Sequence, residues 1–190
     1  MENKAVIQNE TKKENKVATM VLAAMFLALS YVMPFLTGQI PEIGSMLCPM
    51  HIPVLLCGYF CGWKWGICVG FLAPLFRSMT LGMPPIMTAV CMAFELATYG
   101  GLSGFLYGIL PGKKTAIYGS LIPAMIGGRL VWGVAMLAVM GISGGSFGLA
   151  AFFAGAVGNA LPGIALQIVL IPLILMALPP KGRNVYNRED

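Results

Sequence analysis

Apolar residues run on for close to 20 positions at a time in this chain, near 17–36, 47–62, 65–81, 84–109, 115–141 and 148–178, without keeping to one face of a helix. A soluble core shows stripes of helical period or alternating strands. A segment that is apolar all round and about 20 residues long matches the thickness of a bilayer. In lipid the backbone must satisfy its own hydrogen bonds, and these runs are too long and too uniformly apolar for barrel strands, so helices are expected. Composition agrees, with 58% hydrophobic and 10% charged residues where a soluble domain carries about 25% charged. The expected fold is therefore an all-α integral membrane protein, with six transmembrane helices in one bundle over 17–178. A polar tail at 1–16 and a short tail at 179–190 flank it. Six spans use nearly all of the 190 residues, which leaves no room for an extramembrane catalytic domain.

Orientation follows from sorting the positive charges. With the amino terminus inside, Lys4, Lys12, Lys13, Lys16, Lys64, Lys113, Lys114, Lys181, Arg183 and Arg188 all fall on the cytoplasmic side, and the outer loops hold no Lys or Arg. Both termini are thus expected in the cytoplasm. The basic balance comes from this sorting and implies no nucleic-acid partner.

The outer connections are unequal. "TGQIPEIGSM" (37–46) is the longest, polar and able to fold over the outer face; its acid is Glu42. "LGMPP" (81–85) ends one span and starts the next, and "GISGGSFG" (141–148) is rich in glycine. Small residues recur every four positions at Gly58, Gly62, Gly66 and Gly70, at Gly100, Gly104 and Gly108, and at Ala151, Gly155, Asn159 and Gly163. That spacing lets helix backbones approach closely in lipid. Cys48, Cys57, Cys61, Cys68 and Cys91 lie in or beside apolar runs, without CxxC spacing or metal-ligand company, and read as small packing residues.

Arg77, Glu95 and Arg129 escape the charge sorting and lie within the third, fourth and fifth spans. Each costs on the order of 2.5–3.5 kcal/mol to insert at a helix centre, so each needs partners or a wet cavity. Counted from the span ends, Glu95 and Asn159 are each roughly 11 residues in from the outer side, Arg77 is nearer the outer turn, and Arg129 is near mid-span. These depths fit one cavity in the outer half and middle of the membrane. His51 can line its rim, Tyr99 and Trp132 can wall the apolar part of a ligand, and Gln167 lies deeper.

The three ions carry one net positive charge. One arginine can pair with Glu95, leaving the other for a small molecule with one carboxylate, gripped by a guanidinium fork. A buried ion pair that only fixes helix register is the plainer reading of the same residues. Catalysis has less support: the chain holds no HExxH, no serine beside a base, no Walker-type loop and no metal-ligand set, so no enzyme, cofactor or metal is expected. A proton-coupled transporter in which Glu95 carries protons is the alternative from a different class.

The whole chain resembles the substrate-binding (S) components of energy-coupling factor vitamin transporters. The likeness rests on six spans in under 200 residues, a cytoplasmic amino terminus, a long first outer loop and polar residues gathered in the outer half of the later helices. "AMFLA" supplies Ala24 and Ala28, matching the Ala-x-x-x-Ala pattern of the family's first helix. "PMHIPVLLCGYFCGWKWGICVGFLAPLFRSMTLGMPP" resembles the riboflavin and pantothenate group of S components. This resemblance implies that the Ala24–Ala28 strip docks on a transmembrane energising subunit driven by a pair of ATPases, in a bacterial plasma membrane. It implies too that the whole subunit topples to open its site inward. The expected site is Arg77, Glu95, Arg129, Asn159, His51, Tyr99 and Trp132, covered by the first outer loop. Pantothenate fits its charge best; biotin or a related carboxylate also fits, and riboflavin is the alternative if both arginines are neutralised structurally.

Overall fold

The computed structural model describes residues 2–37, 47–110, 114–142 and 161–178. Six α-helices account for most of them: α1 (Glu2–Val32), α2 (His51–Cys61), α3 (Trp63–Leu81), α4 (Ile86–Ile109), α5 (Lys114–Ile142) and α6 (Leu161–Ala177). A 3-10 turn, Met33–Thr37, follows α1. No strand occurs among the described residues. The Glu42 loop, the glycine-rich loop beyond residue 142, Ala151, Gly155, Asn159 and the 179–190 tail lie outside them.

Local chemistry sets the breaks. Pro34 disfavours helical geometry at Met33, and α1 tightens into the 3-10 turn there. Gly62 has φ 87°, which a side chain would resist, so α2 and α3 meet at a single residue. Its N–H still reaches Gly58 O at 3.1 Å, and its own carbonyl accepts from Gly66 N–H at 3.0 Å. Gly82, at φ 70°, closes α3 by donating to Ser78 O at 2.9 Å, and Pro85 then opens α4 by accepting from Ala89 N–H at 2.8 Å.

Two features differ from the expected spans. The polar stretch before residue 17 continues α1 as helix back to Glu2. In the second run α2 starts only at His51, because Cys48 takes φ 47° and the chain turns at residues 49–50 before this helix. Among the described residues, three helical stretches are long and apolar enough to cross a membrane: Lys16–Phe35, Ile86–Ile109 and Thr115–Gly141. His51–Cys61 and Leu161–Ala177 are apolar but shorter.

Helix α4 is the central element, packed on α2, α3 and α5. Within its apolar window 56% is buried, against 17% for α1 and 22% for α5. The two glycine series predict this seam and meet in it. A Cβ at Gly66 would strike the Gly100 backbone, one at Gly70 the Leu96 backbone, and one at Gly104 both Gly58 O and Trp63. The helices pack backbone to backbone, which is the use small residues have where hydrophobic burial supplies little drive.

One half of the bundle is filled by Leu55, Tyr59, Tyr107, Leu121 and Ile171. Tyr59 and Tyr107 meet edge to face at 5.1 Å. Ser120 donates back to Ala116 O at 2.6 Å, and the Tyr59 hydroxyl shares a 3.0 Å hydrogen bond with Ser120 Oγ. The Tyr59 and Ser120 hydroxyls are thereby satisfied within the bundle.

Candidate ligand site

Glu95 lies on the buried face of α4, one turn before Tyr99, and is 1% exposed. An isolated carboxylate there would cost several kcal/mol. Arg129 of α5 brings Nη1 to 2.9 Å from Glu95 Oε1, and His51, the first residue of α2, brings Nε2 to 3.4 Å from the same oxygen. The His51 contact is an ion pair when the imidazole is protonated. Both approaches are close in distance without the alignment of a hydrogen bond, and Oε1 keeps no hydrogen-bond partner among the described residues.

Backbone chemistry explains why Arg129 arrives here. It follows Gly127 and Gly128, and a Cβ on Gly128 would run into the Tyr99 ring. With hydrogen in that place, α5 lies directly over Tyr99 and Glu95. Tyr99 in turn stands edge-on to His51, with centroids 5.0 Å apart and planes at 87°. Three helices thus place three polar or aromatic side chains, Arg129, His51 and Tyr99, around one carboxylate.

Arg129 has a further partner that the sequence reading assigned to packing. Its Nη2 donates to Cys48 Sγ at 3.5 Å. Cys48 also accepts from His51 N–H at 3.0 Å through its carbonyl, which ties the turn to the start of α2. Its positive φ and the paired glycines before Arg129 are the signals for this part of the site, and only the glycines are legible in sequence.

Arg77 is brought to a different place. Its Nη1 donates to Tyr31 O at 2.9 Å, in the last turn of α1, where a cation also suits the exposed carbonyls of a helix end. The guanidinium carbon lies 5.1 Å from the Phe35 ring centroid and 6.0 Å from that of Tyr31. With Gly66 against Gly100 and Gly70 against Leu96, the antiparallel register sets Arg77 level with Ala89, roughly 9 Å along the axis from Glu95. Arg129 is therefore the arginine paired with Glu95, and Arg77 fastens α3 to α1. No acid pairs with Arg77 among the described residues.

Of the remaining expected residues, Trp132 is half-buried one turn beyond Arg129 on α5, and Asn159 lies outside the described residues. Gln167 is buried on α6. Ala24 and Ala28 are exposed on α1, beside the exposed Met25 and Leu29, while neighbouring Ala23 is buried against α2 and α3. No group of three or more metal-ligating side chains occurs among the described residues.

Among the described residues, both ring nitrogens of His51, Tyr99 Oη, Arg129 Nε and Gln167 Oε1 are buried without a hydrogen bond. Buried polar atoms normally have partners, so the unpaired atoms of His51, Tyr99 and Arg129 around the ion pair make this cluster the candidate for a polar ligand.

A family model for the substrate-specific component of ECF transporters matches residues 18–175. No curated protein and no solved structure matches the chain. With the match running from the first apolar helix through nearly all of α6, the chain belongs to the family of ECF transporter substrate-specific components.

Proposed function

We propose that this chain captures a carboxylate vitamin, pantothenate fitting best, from outside the cell and passes it inward. Members of its family work with an energising module made of a transmembrane subunit and ATPases. In this reading all six helices cross a bacterial plasma membrane with both termini in the cytoplasm, and the exposed Ala24–Ala28 strip meets the transmembrane subunit.

One observation carries the choice of ligand. Beside the Glu95–Arg129 pair, buried polar atoms of Arg129, Tyr99 and His51 have no hydrogen-bond partner among the described residues. A molecule with one carboxylate, hydroxyls and an amide supplies matching acceptors and donors. A second reading is favoured by the Glu95–Arg129 pair itself, which is neutral as a unit and would suit an uncharged vitamin such as riboflavin.

Mass spectrometry of the small molecule retained through purification in mild detergent tests both, followed by calorimetric titration of the wild type and of Arg129→Ala. The carboxylate reading expects an anionic ligand whose affinity collapses in the variant. Retention of riboflavin selects the second reading, and tight binding of cations alone sinks both.

A further inference from the structure

Arginine offers a carboxylate two different forks, and the structure distinguishes them. The end-on fork uses Nη1 and Nη2, whereas the side-on fork uses Nε and Nη2. In Arg129, Glu95 lies at Nη1. Nε is buried with no hydrogen bond among the described residues, and Nη2 donates to a thiol sulfur at 3.5 Å, a weak acceptor. The side-on edge is therefore the one whose hydrogen-bonding capacity is still to be met.

The residue at that edge is Cys48. It is 9% exposed, and its backbone is the one non-glycine positive φ among the described residues. An L-residue in this conformation gives up about 1–2 kcal/mol. Such local strain recurs where a side chain must be aimed at a site. Here the turn places the thiol against Nη2 and starts α2 with His51 facing Glu95.

We infer that the Nε–Nη2 edge of Arg129 is the seat for the anionic group of the ligand, and that Cys48 is a specificity-determining residue on its rim. Glu95 holds the far nitrogen and fixes the plane of the guanidinium. The thiol fills the near end of the fork weakly enough to yield to an oxyanion, and limits how bulky that oxyanion's substituent is. His51 and Tyr99, with unpaired buried polar atoms next to the same pair, face the rest of the molecule. This rests on the ligand-capture reading above and names the atoms that would perform it.

Its test does not depend on knowing the vitamin. A variant keeping Cys48 as its single thiol, with Cys57, Cys61, Cys68 and Cys91 replaced by Ala, is purified in detergent and shown to be monodisperse. It is labelled with an anionic sulfonatoethyl methanethiosulfonate and with a cationic trimethylammonium analogue. In each reaction the Cys48 thiolate attacks the sulfenyl sulfur, forming a mixed disulfide and releasing methanesulfinate, with the thiol proton passing to water. Rates are normalised to those of a free thiol in solution.

The anionic reagent should win by at least fivefold. The preference should vanish in Arg129→Gln, made alone and together with Glu95→Gln so that a lone buried carboxylate does not confound it, and should grow in Glu95→Gln alone. Equal rates, a cationic preference, a preference indifferent to Arg129, or no labelling by either reagent each overturns the assignment. If the anionic preference holds while no carboxylate vitamin binds, the seat stands and the vitamin reading falls.

Discussion

Arg129 reaches Glu95 at 2.9 Å across the α4–α5 seam because Gly128 leaves the Tyr99 ring lying against the α5 backbone. The ion pair and the glycine are one device: the charge pairing needs the approach, and a side chain at residue 128 would prevent it. Glu95 thereby finds its partner on a neighbouring helix, and the energetic problem of a buried acid becomes a fixed, partly satisfied polar centre.

Removing one member of that pair should cost more than removing both. Arg129→Gln leaves Glu95 buried without its counter-ion and should destabilise the detergent-solubilised protein by about 3–5 kcal/mol, whereas Arg129→Gln with Glu95→Gln should recover most of that loss. Thermal unfolding of the two single variants and the double variant measures the coupling. Additive effects would mean that the pair contributes nothing jointly.

Gly128→Ala should weaken ligand binding without touching any polar group. Its methyl meets the Tyr99 ring and Glu95 O, and relief of such overpacking costs about 1–3 kcal/mol while pushing Arg129 away from Glu95. Calorimetric affinity together with melting temperature checks this. Gly141→Ala, where nothing lies within 4 Å, is the control that should leave both unchanged.

The α3–α4 seam should tolerate even less. Gly100→Ala drives a Cβ into the Gly66 backbone, which has no rotamer with which to move aside. Loss of a monodisperse peak in size-exclusion chromatography is the expected result. A well-folded Gly100→Ala protein would show that the two backbones are not in contact.

Tyr59→Phe separates stability from binding. It removes the hydroxyl shared with Ser120 Oγ at 3.0 Å and should cost about 1 kcal/mol in unfolding. Ligand affinity should stay within twofold, because the Tyr59 hydroxyl bonds Ser120 rather than any residue of the Glu95 cluster. A large change in calorimetric affinity would extend the site into this half of the bundle.

Arg77→Lys tests whether that arginine is a fastener. Lysine keeps the charge, so a purely electrostatic role would survive the change. The guanidinium that donates to Tyr31 O and lies over Phe35 is lost. Faster limited proteolysis within the first 37 residues, with ligand affinity reduced only modestly, is the expected outcome; an affinity loss as large as that of Arg129→Gln would place Arg77 on the ligand.

The helical class, the membrane environment and the short list of costly polar residues were all legible in the sequence, because each follows from local chemistry. A long apolar run must satisfy its own backbone in lipid, and Arg77, Glu95 and Arg129 are conspicuous wherever they end up. The glycine series announced close packing for the same reason, since absence of a side chain is a local fact. Pairing was different. Depth counting placed both arginines within reach of Glu95, and only the α3–α4 register, with Gly66 on Gly100, sets Arg77 roughly 9 Å from its level. Cys48 looked like packing because its contact with Arg129 depends on a backbone turn and on a nitrogen 81 residues away in sequence. Sequence thus determined which groups could not be left alone in a membrane. Tertiary structure decided which of them meet, because that depends on how far two helices slide and rotate against each other.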